Sequence, residues 1–339
     1  MKKLPVLLIV AIVILSVGVL YETLNSESAK KETQSAQAPY KLRFVLPNGK
    51  ANQIAGVIAT EKGFFKKNNL DVEVVRAEKN SATILISGKA DAAVAGPTAY
   101  MAAAAQGAQL LWVASLTNNN HSLFLSNKDP QDIKVAGLQN SSMNRTNMVV
   151  RLEQIKIDSK KITFLDLGSE DAKLLAFKTK KVDVINVAKV TWLIFAKKNN
   201  IPESDYKILI DDNQDENNGL SALVVQAKFL QEHPDAVENL AKSLIEAEYW
   251  VQNNRDEAAE IYAKYSEMPK EDALMYIDSF IEDTKDLEFT PSIAKGKAKQ
   301  ALYALENPEI KDYNVENYIS LAIAESLKKS GFFEKYNLK

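Results

Sequence analysis

Short apolar runs alternate with amphipathic segments from residue 40 onwards, and this pattern constrains the fold more than any other feature of the sequence. Apolar runs of strand length lie at 42–46, 71–75, 91–95 and 110–115. Between them, segments with helical periodicity lie at 53–62, 82–87 and 97–106, each followed by a glycine. Strands that alternate with helices predict βαβ units and a mainly parallel sheet.

A second series of the same kind follows the apolar run at 122–125. It predicts strands at 133–136, 162–165, 182–187 and 207–210, and helices at 143–154, 172–178 and 190–198. Residues 220–226 predict a returning strand, and all later segments predict helices, at 234–253, 255–265, 270–281, 291–305 and 315–330. The sequence therefore predicts an α/β protein with two hinged lobes and a helical tail.

Length and composition exclude several classes of protein. A chain of 339 residues suits two domains, and a formal net charge of -2 provides no field that attracts nucleic acid. The chain has no cysteine, which excludes disulfides, thiolate catalysis and cysteine-based metal sites. Only two histidines, His121 and His233, are available for a metal centre or a catalytic triad. No phosphate-binding loop or dinucleotide turn occurs, so no cofactor is expected.

The N-terminus predicts export of the protein body. Lys2 and Lys3 precede an uncharged run at 4–21, which as a helix is about 27 Å long, close to the thickness of the bilayer core. Residues 1–21 are either an uncleaved signal anchor or a cleaved signal peptide. The residues after the run form a poor cleavage site, which favours the anchor to the cytoplasmic membrane. Polar residues 22–39 predict a flexible tether, so the body is expected in the periplasm or at the cell surface.

Several short motifs follow one another in a fixed order from Tyr40 to about Tyr265. They are Gln53-x-Ala55-Gly56-x-x-Ala59-x-Glu61-x-Gly63-Phe64-Phe65, Asn69-Leu70-Asp71-Val72, Ile86-Ser87-Gly88-Lys89-Ala90-Asp91, Gly96, Lys181-Val182-Asp183, Phe229-Leu230-x-x-His233-Pro234, Ala247-x-x-Trp250 and Glu257-Ala258-Ala259. No single motif is decisive. The ordered set resembles the solute-binding proteins of ABC importers for nitrate, sulfonates, taurine and thiamine precursors.

The resemblance implies the type II periplasmic-binding-protein fold, in which two lobes close by a hinge motion on a ligand between them. Crossing segments are expected near 115–126 and 211–220. Lobe 1 then comprises 40–122 and 217–339, and lobe 2 comprises 123–216. The implied partners are a small solute and an ABC permease with its ATPase, and the simplest state is a monomer that binds no nucleic acid. The sequence departs from the family at 140–145, where many members have a Gly-Ser-Gly-Thr-like turn, so the ligand class stays open.

Candidate ligand-binding residues lie where predicted strands lead into helices, because ligands of open α/β sheets bind beyond the carboxyl ends of strands. Free N–H groups at helix N-termini there suit an anion. The candidates are Asn48 and Gln53 in the first turn, Gly96, Pro97 and Thr98 in the second, Ser141, Ser142 and Arg145 in the third, Asn186 and Lys189 in the fourth, and Thr117, Asn118 and His121 in the first crossing loop. Turn formation, helix initiation, capping or simple solvation is the alternative role for each.

Arg145 is the candidate for charge recognition. A cation in the first turn of a helix opposes the helix dipole by about 0.3–1 kcal/mol, and an anionic ligand or a carboxylate partner would offset that cost. The alternative is an exposed arginine on a lobe surface. Helix N-termini and Arg145 favour a small anion such as a sulfonate or nitrate, although a neutral hydrogen-bonding solute also suits the Asn, Ser and Thr side chains. Trp192 is expected in the core rather than in the cleft.

Two functions other than non-catalytic solute binding are alternatives. The first is an enzyme of the same fold, of the thiamine-pyrimidine or menaquinone-pathway type. The synthases that resemble this family use a cysteine-rich segment, which is absent here, and neighbouring carboxylates occur only in polar loops such as that of Asp211, Asp212 and Asp215. The second is a membrane-tethered ligand sensor that reports to a partner protein.

Overall fold

Two five-stranded sheets organise the part of the chain that the computed structural model describes, residues 38–47, 53–77, 81–117, 121–139, 142–211, 221–285 and 287–336. The first contains β1 (Tyr40–Pro47), β2 (Leu70–Ala77), β3 (Ala92–Ala95), β4 (Leu110–Thr117) and β10 (Ser221–Gln226), in the order β2-β1-β3-β10-β4. The second contains β5 (Ser122–Ser126), β6 (Val135–Leu138), β7 (Thr163–Asp166), β8 (Val184–Ala188) and β9 (Lys207–Asp211), in the order β7-β6-β8-β5-β9. The two orders are equivalent, so the lobes repeat one topology.

Both sheets are mixed, and the prediction of a mainly parallel sheet was wrong. In the first sheet β1 is parallel to β2 and β3, whereas β10 is antiparallel to β3 and β4. In the second sheet β6 is parallel to β7 and β8, whereas β5 is antiparallel to β8 and β9. The strands β5 and β10 each follow a strand of the other sheet along the chain, β4 and β9 respectively. The right-handed βαβ connection that aligns parallel strands therefore does not act on them.

Helices connect the strands and form the C-terminal tail. Their bounds are α1 Ile54–Glu61, α2 Phe64–Lys67, α3 Ser81–Ile86, α4 Pro97–Ala105, α5 Ser142–Gln154, α6 Glu170–Lys178, α7 Lys189–Lys198, α8 Ala227–Glu232, α9 Pro234–Asn253, α10 Arg255–Ser266, α11 Lys270–Thr284, α12 Ile293–Tyr303, α13 Ala322–Lys329 and α14 Phe332–Lys335. Local sequence explains several of these bounds. The Ser169 hydroxyl accepts a hydrogen bond from the Ala172 N–H and so caps α6. After α1, Gly63 adopts the left-handed conformation with φ of 74°.

The central strands of each sheet are buried on both faces, with side chains that alternate between the faces, whereas the edge strands β7 and β9 are mostly exposed. In β1, Phe44 lies in the core shared with the tail helices, whereas its neighbour Val45 lies in a second core beneath α4. In β5, Leu123 and Phe124 likewise belong to cores on opposite faces. Trp192 is fully buried in lobe 2, in agreement with its expected core position. This two-sided burial explains the nearly continuous apolar runs of the strands.

The single helix predicted at 315–330 was wrong. A short 3-10 turn at Val315–Asn317 is separated from α13 by an extended segment. The Trp112 N–H donates to the Tyr318 carbonyl at 2.8 Å, and the Ser320 N–H donates to the Trp112 carbonyl at 3.0 Å. These two bonds make Ile319 a parallel bridge partner of Trp112 on the edge strand β4. A sheet edge with unpaired backbone groups thus overrides the local helical pattern.

The predicted anchor at 1–21 and most of the predicted tether at 22–39 lie outside the described residues. Within the described part of the chain, no helix combines the length and the apolar character needed to cross a membrane.

Candidate functional site

The chain passes between the two sheets twice, and these crossings define the cleft. The first crossing lies between Thr117, the last residue of β4, and Ser122, the first residue of β5. The second lies between Asp211 at the end of β9 and Ser221 at the start of β10. The Ser221 N–H donates to the Thr117 hydroxyl at 3.1 Å. This bond joins the two crossings at the ends where they meet the first sheet. Two adjacent crossings of this kind permit a hinge motion of one lobe against the other.

Most of the predicted ligand-binding residues occupy ends of strands or starts of helices. Gln53 is the buried N-cap residue of α1, and Gly96 is the extended N-cap residue of α4. Pro97 and Thr98 open α4, Ser142 opens α5, Lys189 opens α7, and Asn186 lies in β8. The predicted residues Asn48, Asn118 and Ser141 lie outside the described residues. Contact between any of these residues and a ligand stays a prediction.

Four neutral polar side chains form a row that links the two lobes. The Gln53 amide donates to the Tyr262 hydroxyl at 3.3 Å. The Tyr262 and Tyr276 rings lie edge to face, with centroids 6.2 Å apart. The Tyr276 hydroxyl lies 2.9 Å from the Thr191 hydroxyl, which belongs to the first turn of α7 in the second lobe. Burial raises the pKa of Tyr262 to about 12 and also raises the pKa of Tyr276. Both phenols therefore keep their protons at neutral pH.

A buried lysine lies behind the start of α7. The Lys173 ammonium donates to the Asn186 carbonyl at 2.7 Å and lies 3.7 Å from the Glu170 carboxylate. Burial lowers the pKa of Lys173, and the carboxylate of Glu170 opposes that shift. The side-chain oxygen of Asn186 is buried and has no hydrogen-bond partner among the described residues. An unsatisfied acceptor at this position indicates a donor from a solvent molecule or a ligand.

His121 holds the first crossing against the tail helix α11. Its backbone N–H donates to the buried Asp283 carboxylate, and its ring Nε2 lies 3.6 Å from Asp283 Oδ1. Burial, with a smaller contribution from Glu282, raises the pKa of Asp283 to about 7. Burial and the nearby Lys189 ammonium lower the pKa of His121. The end of the first crossing is therefore held by a carboxyl group whose pKa lies near neutral pH.

Lys189 ties the second crossing to the first. Its N–H donates to the His121 carbonyl at 2.7 Å, and its ammonium lies 2.8 Å from the Asp211 carboxylate. Asp211 is the last residue of β9, immediately before the second crossing. The positions of His121 and Lys189 thus suit a hinge contact at least as well as a ligand contact.

Arg145 lies at a second contact between the lobes, formed by α5 and the end of α12. Its guanidinium lies over the Phe164 ring and 3.2 Å from the Glu306 carboxylate. Its neighbour Asn147 accepts a hydrogen bond from the Tyr303 hydroxyl at 2.8 Å. The carboxylate partner that would offset the helix dipole is therefore Glu306, and half of the Arg145 side chain remains exposed.

The opposite flank of the cleft is a contact between α7 and α11. Val190 and Ile194 of α7 belong to the same apolar core as Tyr276 and Phe280 of α11. Lys198 pairs with Asp272, whose side chain is only 6% exposed. A pocket of about 150 Å³ lies beside this contact and is lined in part by Asp171, Thr191, Met268 and Tyr276. Polar contacts thus join the lobes on both flanks of the cleft.

Four residues of the site were missed by sequence reasoning: Lys173, Tyr262, Tyr276 and Asp283. Both tyrosines lie on the apolar faces of tail helices, where the sequence pattern is typical of core aromatics. Asp283 follows Glu282 near the end of an amphipathic helix and is typical of a solvated residue there. The described residues contain no group of three or more His, Asp or Glu side chains placed to hold a metal ion.

Solved structures with this architecture include binding proteins for sulfonates and for nitrate. The alkanesulfonate-binding protein SsuA from Xanthomonas axonopodis pv. citri, bound to MOPS, has 18% sequence identity and a TM-score of 0.66, over 84% of this chain and 99% of that one. The periplasmic nitrate-binding protein NrtA from Synechocystis PCC 6803 has 13% identity and a TM-score of 0.64, over 86% and 89%. A cysteine-to-serine mutant of DSZB in complex with biphenyl-2-sulfinic acid has 12% identity and a TM-score of 0.61, over 85% and 99%.

The fold is thus that of the periplasmic binding proteins, since similarities at these identities reflect a shared architecture. No significant match was found among curated protein sequences. Residues 50–258 match the family model described as NMT1/THI5 like. Because this match spans more than half of the 339 residues, the protein belongs to the NMT1/THI5-like family.

Proposed function

We propose that the protein is the extracytoplasmic solute-binding component of an ABC importer. It binds a small sulfonate-like or nitrate-like anion between its lobes and delivers the anion to a permease that works with an ATPase. Lobe 1 comprises residues 40–122 and 217–339, and lobe 2 comprises residues 123–216. The protein acts as a monomer, held at the cytoplasmic membrane by an uncleaved helix at 1–21.

The observation that carries this proposal is the row of protonated, neutral groups from Gln53 through Tyr262 and Tyr276 to Thr191. These groups bond to one another in the present arrangement, and an anion that enters the cleft would accept hydrogen bonds from them in place of those contacts. The N-termini of α4, α5 and α7 would add backbone N–H groups with a partial positive charge. Neutral donors bind a small oxyanion without burying an unpaired cation when the cleft is empty.

The contacts between the lobes support a mechanism of closure. The α5–α12 contact contains an ion pair and a side-chain hydrogen bond, and the α7–α11 contact adds the Lys198–Asp272 and Thr191–Tyr276 pairs to an apolar core. The partly exposed Arg145–Glu306 pair is individually weak in water, so the α5–α12 flank can open without a large cost. A ligand that touches both lobes favours the closed arrangement by its differential affinity for it.

A thermal-shift screen of the full chain in detergent tests the proposed function. The panel contains nitrate, small sulfonates, carboxylates, amino acids and pyrimidines. We expect a sulfonate or nitrate to raise the melting temperature by mass action, without being consumed. Sodium chloride at equal ionic strength is the control for the non-specific effect of salt on electrostatic interactions. Stabilisation by neutral solutes alone would contradict the anionic ligand class, and conversion of a hit would contradict the non-enzymatic function.

An enzyme of the same fold is the second candidate, because DSZB in complex with biphenyl-2-sulfinic acid has this architecture. That protein was crystallised with a serine in place of one of its cysteines, and the present chain contains no cysteine. The present chain therefore has no side-chain thiol of its own. Product analysis of each stabilising compound distinguishes the two functions.

We expect Arg145→Ala to weaken the affinity for an anionic solute by about tenfold, the effect of one charge-assisted hydrogen bond. The melting temperature of the empty protein should change little, because the side chain is half exposed. Affinity is measured by calorimetry with the best anion from the screen.

Glu306→Gln is the matched control for Arg145→Ala. It breaks the Arg145–Glu306 pair but leaves the cation free for the ligand, so affinity should hold or rise. Equal losses in the two variants would show that Arg145 acts only through the contact between the lobes. An unchanged affinity in Arg145→Ala would remove this residue from the site.

A further inference from the structure

A second pocket, of about 170 Å³, lies within lobe 2 at the C-terminal end of α7. Its lining includes Asn127, Phe177, Lys178, Trp192, Asn199 and Ile201. It shares no lining residue with the pocket between α7 and α11. Its place in the fold therefore separates it from the interlobe cleft, although α7 contributes to both.

Two polar atoms on the lining residues are buried and unsatisfied. The indole N–H of Trp192 and the side-chain carbonyl oxygen of Asn127 have no hydrogen-bond partner among the described residues. Trp192 is completely buried, with an exposed fraction of 0%. A buried donor or acceptor without a partner is costly and therefore rare. Both residues line this pocket, so a small outward shift of its lining would bring one donor and one acceptor to an occupant with the complementary groups.

The surrounding structure holds both groups in place. The Asn127 amide N–H donates to the Val182 carbonyl at 2.8 Å, which leaves its oxygen as the unsatisfied atom. The Trp192 ring lies edge to face with Phe177, with centroids 5.6 Å apart, and with Tyr206 at 4.8 Å. Lys178 is engaged by the Asn199 side-chain oxygen at 2.8 Å. The orphaned atoms therefore cannot turn to nearby partners without breaking existing contacts.

We propose that this pocket is a second binding site for a small neutral amide. The ligand's carbonyl accepts from the Trp192 N–H, its N–H donates to the Asn127 oxygen, and its apolar part lies against Phe177 and Ile201. A cavity of about 150 Å³ accommodates a benzene-sized ring, so a six-membered lactam is the appropriate size. This inference does not depend on the proposed solute-binding function.

The test follows the indole N–H signals of the full chain by nitrogen-15 NMR during titration with 2-piperidone, a six-membered lactam. The chain has three tryptophans. The indole N–H of Trp112 already donates to the Ala114 carbonyl at 2.9 Å, so the Trp112 signal serves as an internal reference. Trp192→Phe and Trp250→Phe assign the signals. We expect a saturable downfield shift of the Trp192 signal while the Trp112 signal stays unchanged.

N-methyl-2-piperidone is the control ligand, in which a methyl group replaces the hydrogen that 2-piperidone would donate. It should bind about tenfold more weakly, the effect of one lost hydrogen bond to a buried acceptor. A Trp192 signal that does not move, or moves linearly without saturation, would mean that the pocket holds water alone and would overturn the proposal. Equal binding of the two lactams would overturn the role of Asn127. If Trp192→Phe fails to fold, Trp112→Phe and Trp250→Phe assign the Trp192 signal by elimination, and the titration of the unmodified protein still gives this answer.

Discussion

Asp283→Asn is expected to stabilise the folded protein at pH 8 by up to about 4 kcal/mol, since a pKa difference of one unit corresponds to about 1.4 kcal/mol of free energy. Burial raises the pKa of Asp283 from 3.8 to about 7 in the native state. Above pH 7 the folded protein therefore retains a buried carboxylate at a cost. The isosteric amide removes that cost while keeping the side-chain oxygen that accepts the His121 N–H.

The pH dependence follows from the sign of this shift. Between pH 3.8 and about 7 the folded state binds more protons at Asp283 than the unfolded state, so its contribution to stability falls as pH rises. Below pH 3.8 both states are protonated, and above pH 7 the loss is complete. His121, whose pKa is lowered, contributes in the opposite sense, since its stability contribution falls as the pH drops through its titration range. The difference between wild type and Asp283→Asn isolates the carboxyl group.

Denaturant unfolding at pH 4, 6 and 8 measures this effect, and Asp278→Asn is the control. Asp278 lies on the same helix, is half exposed and pairs with Arg255. Removing its charge should not stabilise the protein at any pH. A lower stability of Asp283→Asn at pH 8 would show that the His121 ring or solvent compensates the buried charge fully.

The position of Asp283 explains why the protein retains a buried carboxylate that lowers its stability. The carboxylate accepts a hydrogen bond from the backbone of His121, which immediately precedes β5. Natural proteins retain locally unfavourable groups mainly at functional sites. A hinge residue held by a partly charged carboxylate is consistent with that rule. The amide variant is therefore a test of stability first and of hinge motion second.

The order of helices and strands could be predicted because each element is specified by a local pattern. Every strand except β5 overlaps a predicted one, since apolar runs differ clearly from their polar surroundings, and β5 coincides with the apolar run at 122–125. Strand direction could not be predicted from the same runs. The antiparallel arrangement of β5 and β10 depends on how the chain crosses between lobes, and the segment after Val315 depends on the free edge of Trp112.

The site could be predicted only as far as it follows from strand ends. Gln53, Gly96 and Asn186 were predicted because turns after strands have a known relation to the sheet edge. Tyr262 and Tyr276 could not be, because a tyrosine on the apolar face of a helix has the same sequence pattern whether or not its hydroxyl has a partner. The bond from Tyr276 to Thr191 joins residues 85 positions apart. Such contacts follow from tertiary packing, which no local pattern encodes.

Lys198→Met is expected to shift the equilibrium between closed and open lobes towards the open form by about tenfold. Lys198 on α7 pairs with Asp272 on α11, and the Asp272 side chain is 6% exposed. Without the ammonium, the closed form retains an unpaired buried carboxylate, whereas opening returns it to water. A charge-assisted hydrogen bond contributes about 1.5–3 kcal/mol. We take the lower end, close to a factor of ten, because the Lys198 side chain is 52% exposed and so screened by solvent.

The adjacent lysine provides a matched control, because Lys197 faces Glu271 on the same two helices. That pair is separated by 3.7 Å, and its side chains are 67% and 69% exposed, so Lys197→Met should leave the lobe equilibrium unchanged. The radius of gyration from small-angle X-ray scattering measures opening without a ligand, and calorimetry with the screened anion measures the loss of affinity. Equal shifts of the lobe equilibrium in the two variants would assign the shift to net charge. No shift in Lys198→Met would mean that the Thr191–Tyr276 bond and the apolar contact of α7 with α11 are sufficient to hold this flank closed. Opening in Lys198→Met only would show that burial of the carboxylate, and not the number of ion pairs, determines how firmly the lobes close.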